Sequence, residues 1–414
     1  MGNELLKMNP WWSQNYDPKT AEEFVMPKRY AYKEFIDIFS GTQLMIFIKG
    51  LRRTGKSTLL KQAILELVDN GVNGNRVLYV LFSQTYNDLE TVLKMSGGYD
   101  YLFLDEIQYC PNWKDQLKVY YDIYGKQKKI VFTGSATLNL TDQKESLLGR
   151  FMPVNLPPLP FREYIWLKYR VMEQHYPFSA TEKEWEDYIS YGEFPELLTI
   201  PSQNLKNKYL KETILDPLTT QDIELYDVEK KTEFLQLLKV LAQNTGQILN
   251  KTNIASEIGL TRVSVDRYIS IACDMGLIYL TSNYYPSVRE QTLSDKKVYF
   301  TSLNLALVLL NIYSFSDFAI KDVKGHIFEN YVANIIKKDL KGEMFYLKRG
   351  PREVDLYLKG QKLTAYEVKY QLKMHPFEIK KYKNLGLKND AKEVGIIYTG
   401  KTDNDRGLIN FLNL

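Results

Sequence analysis

The sequence predicts an α/β fold whose first part is a parallel sheet with helices on both faces, and three observations predict it. Short apolar runs at 44–48, 101–104 and around "KKIVF" have the length of buried strands. The first runs into a glycine-rich loop and then a helix-patterned stretch, in "FIKGLRRTGKSTLLKQAI". The other two end in acidic or hydroxyl side chains, at the carboxyl ends of strands where open α/β sheets bind ligands.

The loop reads Gly50-x-x-x-x-Gly55-Lys56-Ser57, a P-loop. Its glycines let main-chain N–H groups wrap phosphate oxygens, Lys56 reaches the β and γ phosphates, and Ser57 offers a hydroxyl to Mg²⁺. Arg52, Arg53, Thr54 and Thr58 share the loop and its exit, and the helix starting near Lys56 turns its positive dipole end toward the anion. ATP and Mg²⁺ are therefore the expected ligands. In "YDYLFLDEIQ", Asp105 is expected to hold Mg²⁺ through water and Glu106 to polarise the attacking water. "KKIVFTGSAT" ends in Thr133 and Ser135, hydroxyls able to sense the γ-phosphate. Arg150, just before a further strand pattern, is either a transition-state or subunit-contact residue or a surface ion-pair partner.

Length and composition bound the rest. At roughly 100 to 200 residues per domain, 414 residues call for two to four domains. Hydrophobic content of 44% with 25% charged residues is that of an ordinary soluble globular chain, so long disorder is not the default expectation. The start, MGNELLKMNPWWSQNYDP, lacks a signal pattern, and no apolar run nears the roughly 18 residues of a membrane span, so a cytoplasmic location and no membrane partner are expected. Two cysteines, Cys110 and Cys273, are too few and too far apart for a disulfide framework or zinc site. Residues 321–414 hold 19 Lys and Arg against 12 Asp and Glu, an excess that fits either nucleic-acid contact or a solvated lysine-rich surface.

With the ATPase domain taken as 1–160, residues 161–230 read as a helical connector, with Tyr164, Leu167, Trp185, Tyr188 and Leu197 at helical spacing. Residues 231–319 contain "NKTNIASEIGLTRVSVDRYISIACDMGLIYLT", a helix from about 251 to 258, a turn at Gly259, and a second helix capped by Thr261. Strand patterns at 277–280 and 297–301 would form a wing. Arg262 and Arg267 face outward but are offset by Asp266 and Asp274, while Ile254, Ile258, Val265, Ile269 and Ile271 read as core.

Residues 320–414 begin with an amphipathic helix, "HIFENYVANIIKKDL", whose buried stripe is Ile327, Tyr331, Val332 and Ile335, with Glu329 beside it. "REVDLYLKGQKLTAYEVKY" then reads as a hairpin turning about Gln361, which sets Asp355 opposite Glu367 with Lys369 on the same face. Like charges opposite one another destabilise a sheet, so something should compensate them.

The order GLRRTGKSTL, YLFLDEIQ, FTGSAT, LLGR, PLPFREY resembles the AAA+-superfamily ATPases that carry a winged helix and a restriction-endonuclease-like domain. This resemblance covers nearly the whole chain. Gly192-Glu193 stands where that family has a glycine pair, and Thr301-Ser302-Leu303 where it has an Asp-x-Gly-Leu run. The tail, with Glu329, Asp355 and Glu367-x-Lys369, resembles the PD-(D/E)xK nucleases over about 75 residues. That resemblance implies Mg²⁺ or Mn²⁺ on Glu329, Asp355 and Glu367, with Lys369 orienting a water toward a phosphodiester. A salt-bridge triad is the plainer alternative. Three functions remain open: an ATPase coupled to a DNA- or RNA-directed tail, a nucleotide-dependent regulatory switch, and a partner-docking ATPase without nuclease activity. Homo-oligomers, common among AAA+ proteins, are a further expectation.

Overall fold

Five short apolar runs build the first sheet: β1 (Met45–Lys49), β2 (Val77–Leu81), β3 (Tyr101–Asp105), β4 (Lys129–Gly134) and β5 (Phe151–Asn155). All pair in parallel in the order β2-β3-β4-β1-β5. Side chains alternate between two cores, because successive residues of a strand point to opposite faces. Met45 and Phe47 pack with Leu78, Leu102 and Phe132, whereas Ile46 and Ile48 pack with Leu59, Ile64 and Phe103. The helix Lys56–Asp69 supplies Leu59 and Ile64 to the second core. The α/β expectation holds: this is a P-loop NTPase fold.

The computed structural model describes residues 2–134, 147–171, 181–226, 228–320 and 323–414. It forms two compact units, one of residues 1–176, 194–199 and 274–276 and the other of residues 177–193, 200–273 and 277–414. No helix among the described residues is long and apolar enough to cross a membrane.

In the second unit a helix Lys251–Ile258 ends at Gly259, whose φ of 69° only a residue without Cβ adopts at little cost. The next helix, Arg262–Asp274, begins where Thr261 Oγ1 accepts from the Ser264 N–H at 3.1 Å. Val265, Ile269 and Ile271 are buried, Ile258 only half so. The antiparallel pair β6 (Ile278–Ser282) and β7 (Lys296–Phe300) follows. A mixed sheet then comprises β8 (Glu343–Arg349), β9 (Arg352–Lys359), β10 (Leu363–Lys369), β11 (Glu393–Tyr398) and β12 (Leu408–Asn410), in the order β12-β11-β10-β9-β8.

The expected segments 231–319 and 320–414 thus lie for the most part in one compact unit, and so does the helix Glu182–Tyr191. Its Trp185 ring meets Phe328, Tyr331 and Phe411 edge-on at centroid distances of 6.1, 5.8 and 5.1 Å. Edge-to-face packing of this kind adds about 0.5–1.5 kcal/mol per pair beyond area burial.

Candidate functional site

The P-loop segment runs from β1 to the helix Lys56–Asp69 through backbone that most residues resist. Gly55 has φ 96° and Arg53 φ 64°. A Cβ on Gly50 would lie 2.2 Å from the Leu156 carbonyl oxygen, so only glycine lets the loop pass beside the end of β5. Lys56, 4% exposed, donates from Nζ to the carbonyls of Gly50 at 3.2 Å and Leu51 at 3.1 Å, and lies 3.6 Å from Glu106 Oε1. Thr54 is buried and donates to Leu51 O at 2.9 Å. Ser57 and Thr58 are half-buried on the first helical turn, Arg52 is half-buried, and Arg53 is exposed.

Asp105 ends β3 fully buried. It accepts from Tyr79 Oη at 2.8 Å, from the Thr133 hydroxyl, and from the Ser57 hydroxyl. Burial and the neighbouring Glu106 push its pKa up, and the three hydroxyl donors pull against them. Glu106 adopts φ 55°, and its N–H donates to Thr133 Oγ1 at 2.9 Å. Burial would raise its pKa, but Lys56, Gln108 and Arg52 together outweigh burial and hold it below the ordinary value. Lys56, Ser57, Asp105, Glu106 and Thr133 therefore meet at the carboxyl ends of β1, β3 and β4. The Asp105 carboxylate and the Ser57 hydroxyl beside it are hard oxygen donors of the kind that suits Mg²⁺. Ser135 lies outside the described residues. Arg150 forms a two-pronged pair with Asp122, Nε to Oδ1 at 2.7 Å and Nη2 to Oδ2 at 3.1 Å, the surface ion-pair arrangement.

Two parts of this site carried no motif. Tyr79 lies on β2, and strand alternation gives no hint that its hydroxyl ends on Asp105 in the neighbouring strand. Arg29, buried, pairs with Glu163 at 2.7 Å while donating to Thr54 O at 2.5 Å and Pro157 O at 2.9 Å. It braces the P-loop to the "PLPFREY" segment.

In the second unit the hairpin folds with the expected register. Lys359 pairs with Leu363 and Leu356 with Tyr366, so the next step sets Asp355 across from Glu367. Glu329, Asp355 and Glu367 are all buried. Protein ammonium groups compensate them. Lys369 Nζ lies 2.5 Å from Glu367 Oε1 and 3.9 Å from Asp355 Oδ2. Lys297 of β7, 1% exposed, lies 2.6 Å from Glu353 Oε1, 2.9 Å from Glu329 Oε1 and 3.4 Å from Asp355 Oδ1. Tyr299 Oη donates to Glu329 Oε1 at 2.7 Å, and the Val368 N–H to Asp355 Oδ2 at 2.9 Å.

The charges are strongly perturbed. Burial alone would lower Lys297, yet Glu329, Tyr299, Asp355 and Glu353 outweigh it and hold the ammonium well above its ordinary pKa. Burial and then Asp355 push Glu329 up to about 7, against Lys297 and Tyr299. The same two causes push Glu367 up to about 8, against Lys369. Lys297, Glu329, Glu353 and Asp355 line a cavity of about 500 Å³, together with Gln247, His326, Lys348 and Lys369.

The metal expectation for Glu329, Asp355 and Glu367 thus meets lysines already in place. Among the described residues no group of three or more His, Cys, Asp or Glu side chains is arranged to hold a metal ion. Sequence reasoning missed Lys297, Tyr299 and Glu353. Alternation could have placed Glu353 on the face of Asp355, and Lys297 with Tyr299, but not the two pairs together.

Comparison with known proteins adds a domain-level likeness. Residues 42–165 match the AAA domain family, and residues 182–316 and 324–414 each match a different domain of unknown function. An uncharacterized protein of Methanocaldococcus jannaschii, MJ1544, is 28% identical over 382 residues, 87% of this chain and 82% of that one. An uncharacterized protein of Haemophilus influenzae is 28% identical over 284 residues, 63% of this chain and 67% of that one. The Walker-type ATPase PABY2304 of Pyrococcus abyssi superposes with a TM-score of 0.45 at 14% identity, covering 72% of this chain and 99% of that one. Over residues 42–165 the chain combines the P-loop NTPase fold with similarity to an AAA domain.

Proposed function

We propose that the chain is a Mg²⁺-dependent ATPase whose nucleotide cycle serves a nucleic-acid-directed C-terminal module. The observation that carries the first half is the convergence of Lys56, Ser57, Asp105 and Glu106 at one end of the parallel sheet. Ser57 and Asp105 would hold Mg²⁺, which when bound neutralises phosphate charge. Lys56 exchanges the carbonyls of Gly50 and Leu51 for phosphate oxygens. Glu106, kept ionised by Lys56 and Arg52, orients the attacking water and accepts its proton. Thr133 fixes both acids, through the Asp105 carboxylate and the Glu106 N–H.

The test is ATP binding and turnover by the wild-type chain, Lys56→Ala and Glu106→Gln. Lys56→Ala is expected to lose both. Glu106→Gln is expected to keep binding while turnover falls about 10²–10⁴-fold, the usual weight of general-base help. Normal turnover by Lys56→Ala would remove the P-loop assignment.

The second half is supported by the basic excess over residues 321–414 and by two successive helices followed by an antiparallel strand pair, which we read as a winged helix carrying Arg262 and Arg267. A partner-docking reading without cleavage is favoured by other contacts there. Arg267 is tied to the Tyr226 carbonyl at 3.3 Å, and Asp266 meets Lys251 at 2.5 Å, which weakens a one-sided basic face. Turnover with and without single- and double-stranded DNA separates the two, since only the first predicts stimulation that salt abolishes.

A further inference from the structure

We infer that Lys297 occupies the place of a divalent cation in the C-terminal module, so that this module works without metal and does not cleave phosphodiester bonds. A magnesium or manganese ion would need carboxylate oxygens converging at about 2.0–2.2 Å on a point open to it. Here the point of convergence of Glu329, Glu353 and Asp355 is filled by the Lys297 ammonium, at 2.9, 2.6 and 3.4 Å. The backbone that carries Lys297 is held on both sides. Lys297 pairs with Thr281 in the β6–β7 ladder and is bridged to Ile248 on its other side.

The remaining carboxylate, Glu367, is paired through one oxygen, while its buried Oε2 accepts no hydrogen bond. Glu367 is engaged by Lys369 at 2.5 Å, so each acid assigned to the metal has an ammonium partner. Two lysines together supply the two positive charges that a divalent ion would bring. Gly246 closes on Glu329 from another side: with φ 73°, a Cβ there would lie 3.1 Å from the Glu329 carboxyl carbon. The Glu329 carboxylate is therefore held between the Gly246 backbone and Lys297, on the wall of the cavity that Glu353 and Asp355 also line.

The inference does not depend on the nucleotide site, nor on whether the module meets nucleic acid or protein. It is tested on the full nucleotide-free chain by Mn²⁺ titration followed by electron paramagnetic resonance, comparing wild type with Asp355→Asn. The two are expected to bind Mn²⁺ alike. Loss of one bound Mn²⁺ in Asp355→Asn overturns the inference, as does Mg²⁺- or Mn²⁺-dependent nicking of plasmid DNA that Asp355→Asn abolishes. Lys297→Met, which removes the ammonium but keeps most of the stem, is expected to gain a Mn²⁺ site that Asp355→Asn weakens by about tenfold or more. A folded Lys297→Met chain that binds no additional Mn²⁺ also overturns it. If that variant does not fold, the comparison of wild type with Asp355→Asn decides alone.

Discussion

Arg29 holds Glu163 through two nitrogens while a third anchors the P-loop at Thr54, and both charged groups are withdrawn from water. Taking one partner from such a pair leaves the other buried without compensation, which costs about 3–5 kcal/mol. Arg29→Ala is therefore expected to lower the unfolding free energy read from urea titration by that amount, because Glu163 would keep the Tyr30 N–H at 2.7 Å but lose its guanidinium, and to weaken ATP binding, because the Thr54 carbonyl loses its anchor. A change under about 1 kcal/mol would mean that the pair merely breaks even with solvent. Asp105 and Glu106 show the same logic at the carboxyl end of β3. They adjoin in sequence, yet burial and Glu106 raise one while Lys56, Gln108 and Arg52 lower the other. The motif places both acids at a strand end, and the neighbours set their charge.

Two segments that differ from the pattern of the ATPases the sequence resembles hold each other. Glu193 stands in place of a glycine, and Ser302 lies in the altered run after β7. In the fold Glu193 Oε2 accepts from Ser302 Oγ at 2.5 Å and from the Asn304 N–H at 2.8 Å, while Asn304 Oδ1 accepts from the Glu193 N–H at 2.9 Å. Burial raises the Glu193 carboxyl to about 7, against these donors. The folded chain then binds this proton more tightly than the unfolded chain, whose ordinary value is 4.5. The stability it contributes is complete below the unfolded value and is lost as pH rises through about 7. Between pH 5 and 8 the wild type is expected to lose on the order of 2–3 kcal/mol relative to Glu193→Gln, read from urea midpoints of both chains. Parallel pH profiles would show that Glu193 is not the titrating group. Beside the middle of β7, where the Gly246 N–H donates to the Val298 carbonyl, Gly246→Ala would force an L residue into φ 73° against the Glu329 carboxyl. It is expected to destabilise by about 1–3 kcal/mol in the same assay.

For the whole molecule the decisive measurement is the salt dependence of any nucleic-acid binding. A surface that neutralises Z phosphates loses affinity with a slope of about −0.9Z in log–log form. If the lysine-rich segment 321–414 makes the contacts, replacing one contacting lysine is expected to reduce that slope by about one without changing sequence preference. A slope near zero in fluorescence anisotropy would assign this surface to solvent or to a protein partner. The nucleotide half was legible in the sequence because its chemistry is local: a glycine-rich loop must follow a strand and open a helix, and Gly50 through Ser57 do so within eight residues. The hairpin register was legible for a similar reason, since turn position and alternation fix which residues face one another. The sequence by itself thus determined the P-loop, the acids at the strand ends and the opposition of Asp355 to Glu367. Only the tertiary structure decided what neutralises those acids. Lys297 lies 58 positions before Asp355 and Arg29 lies 134 before Glu163, and pairings over such separations are set by how sheets and helices pack, a relation that no local pattern encodes.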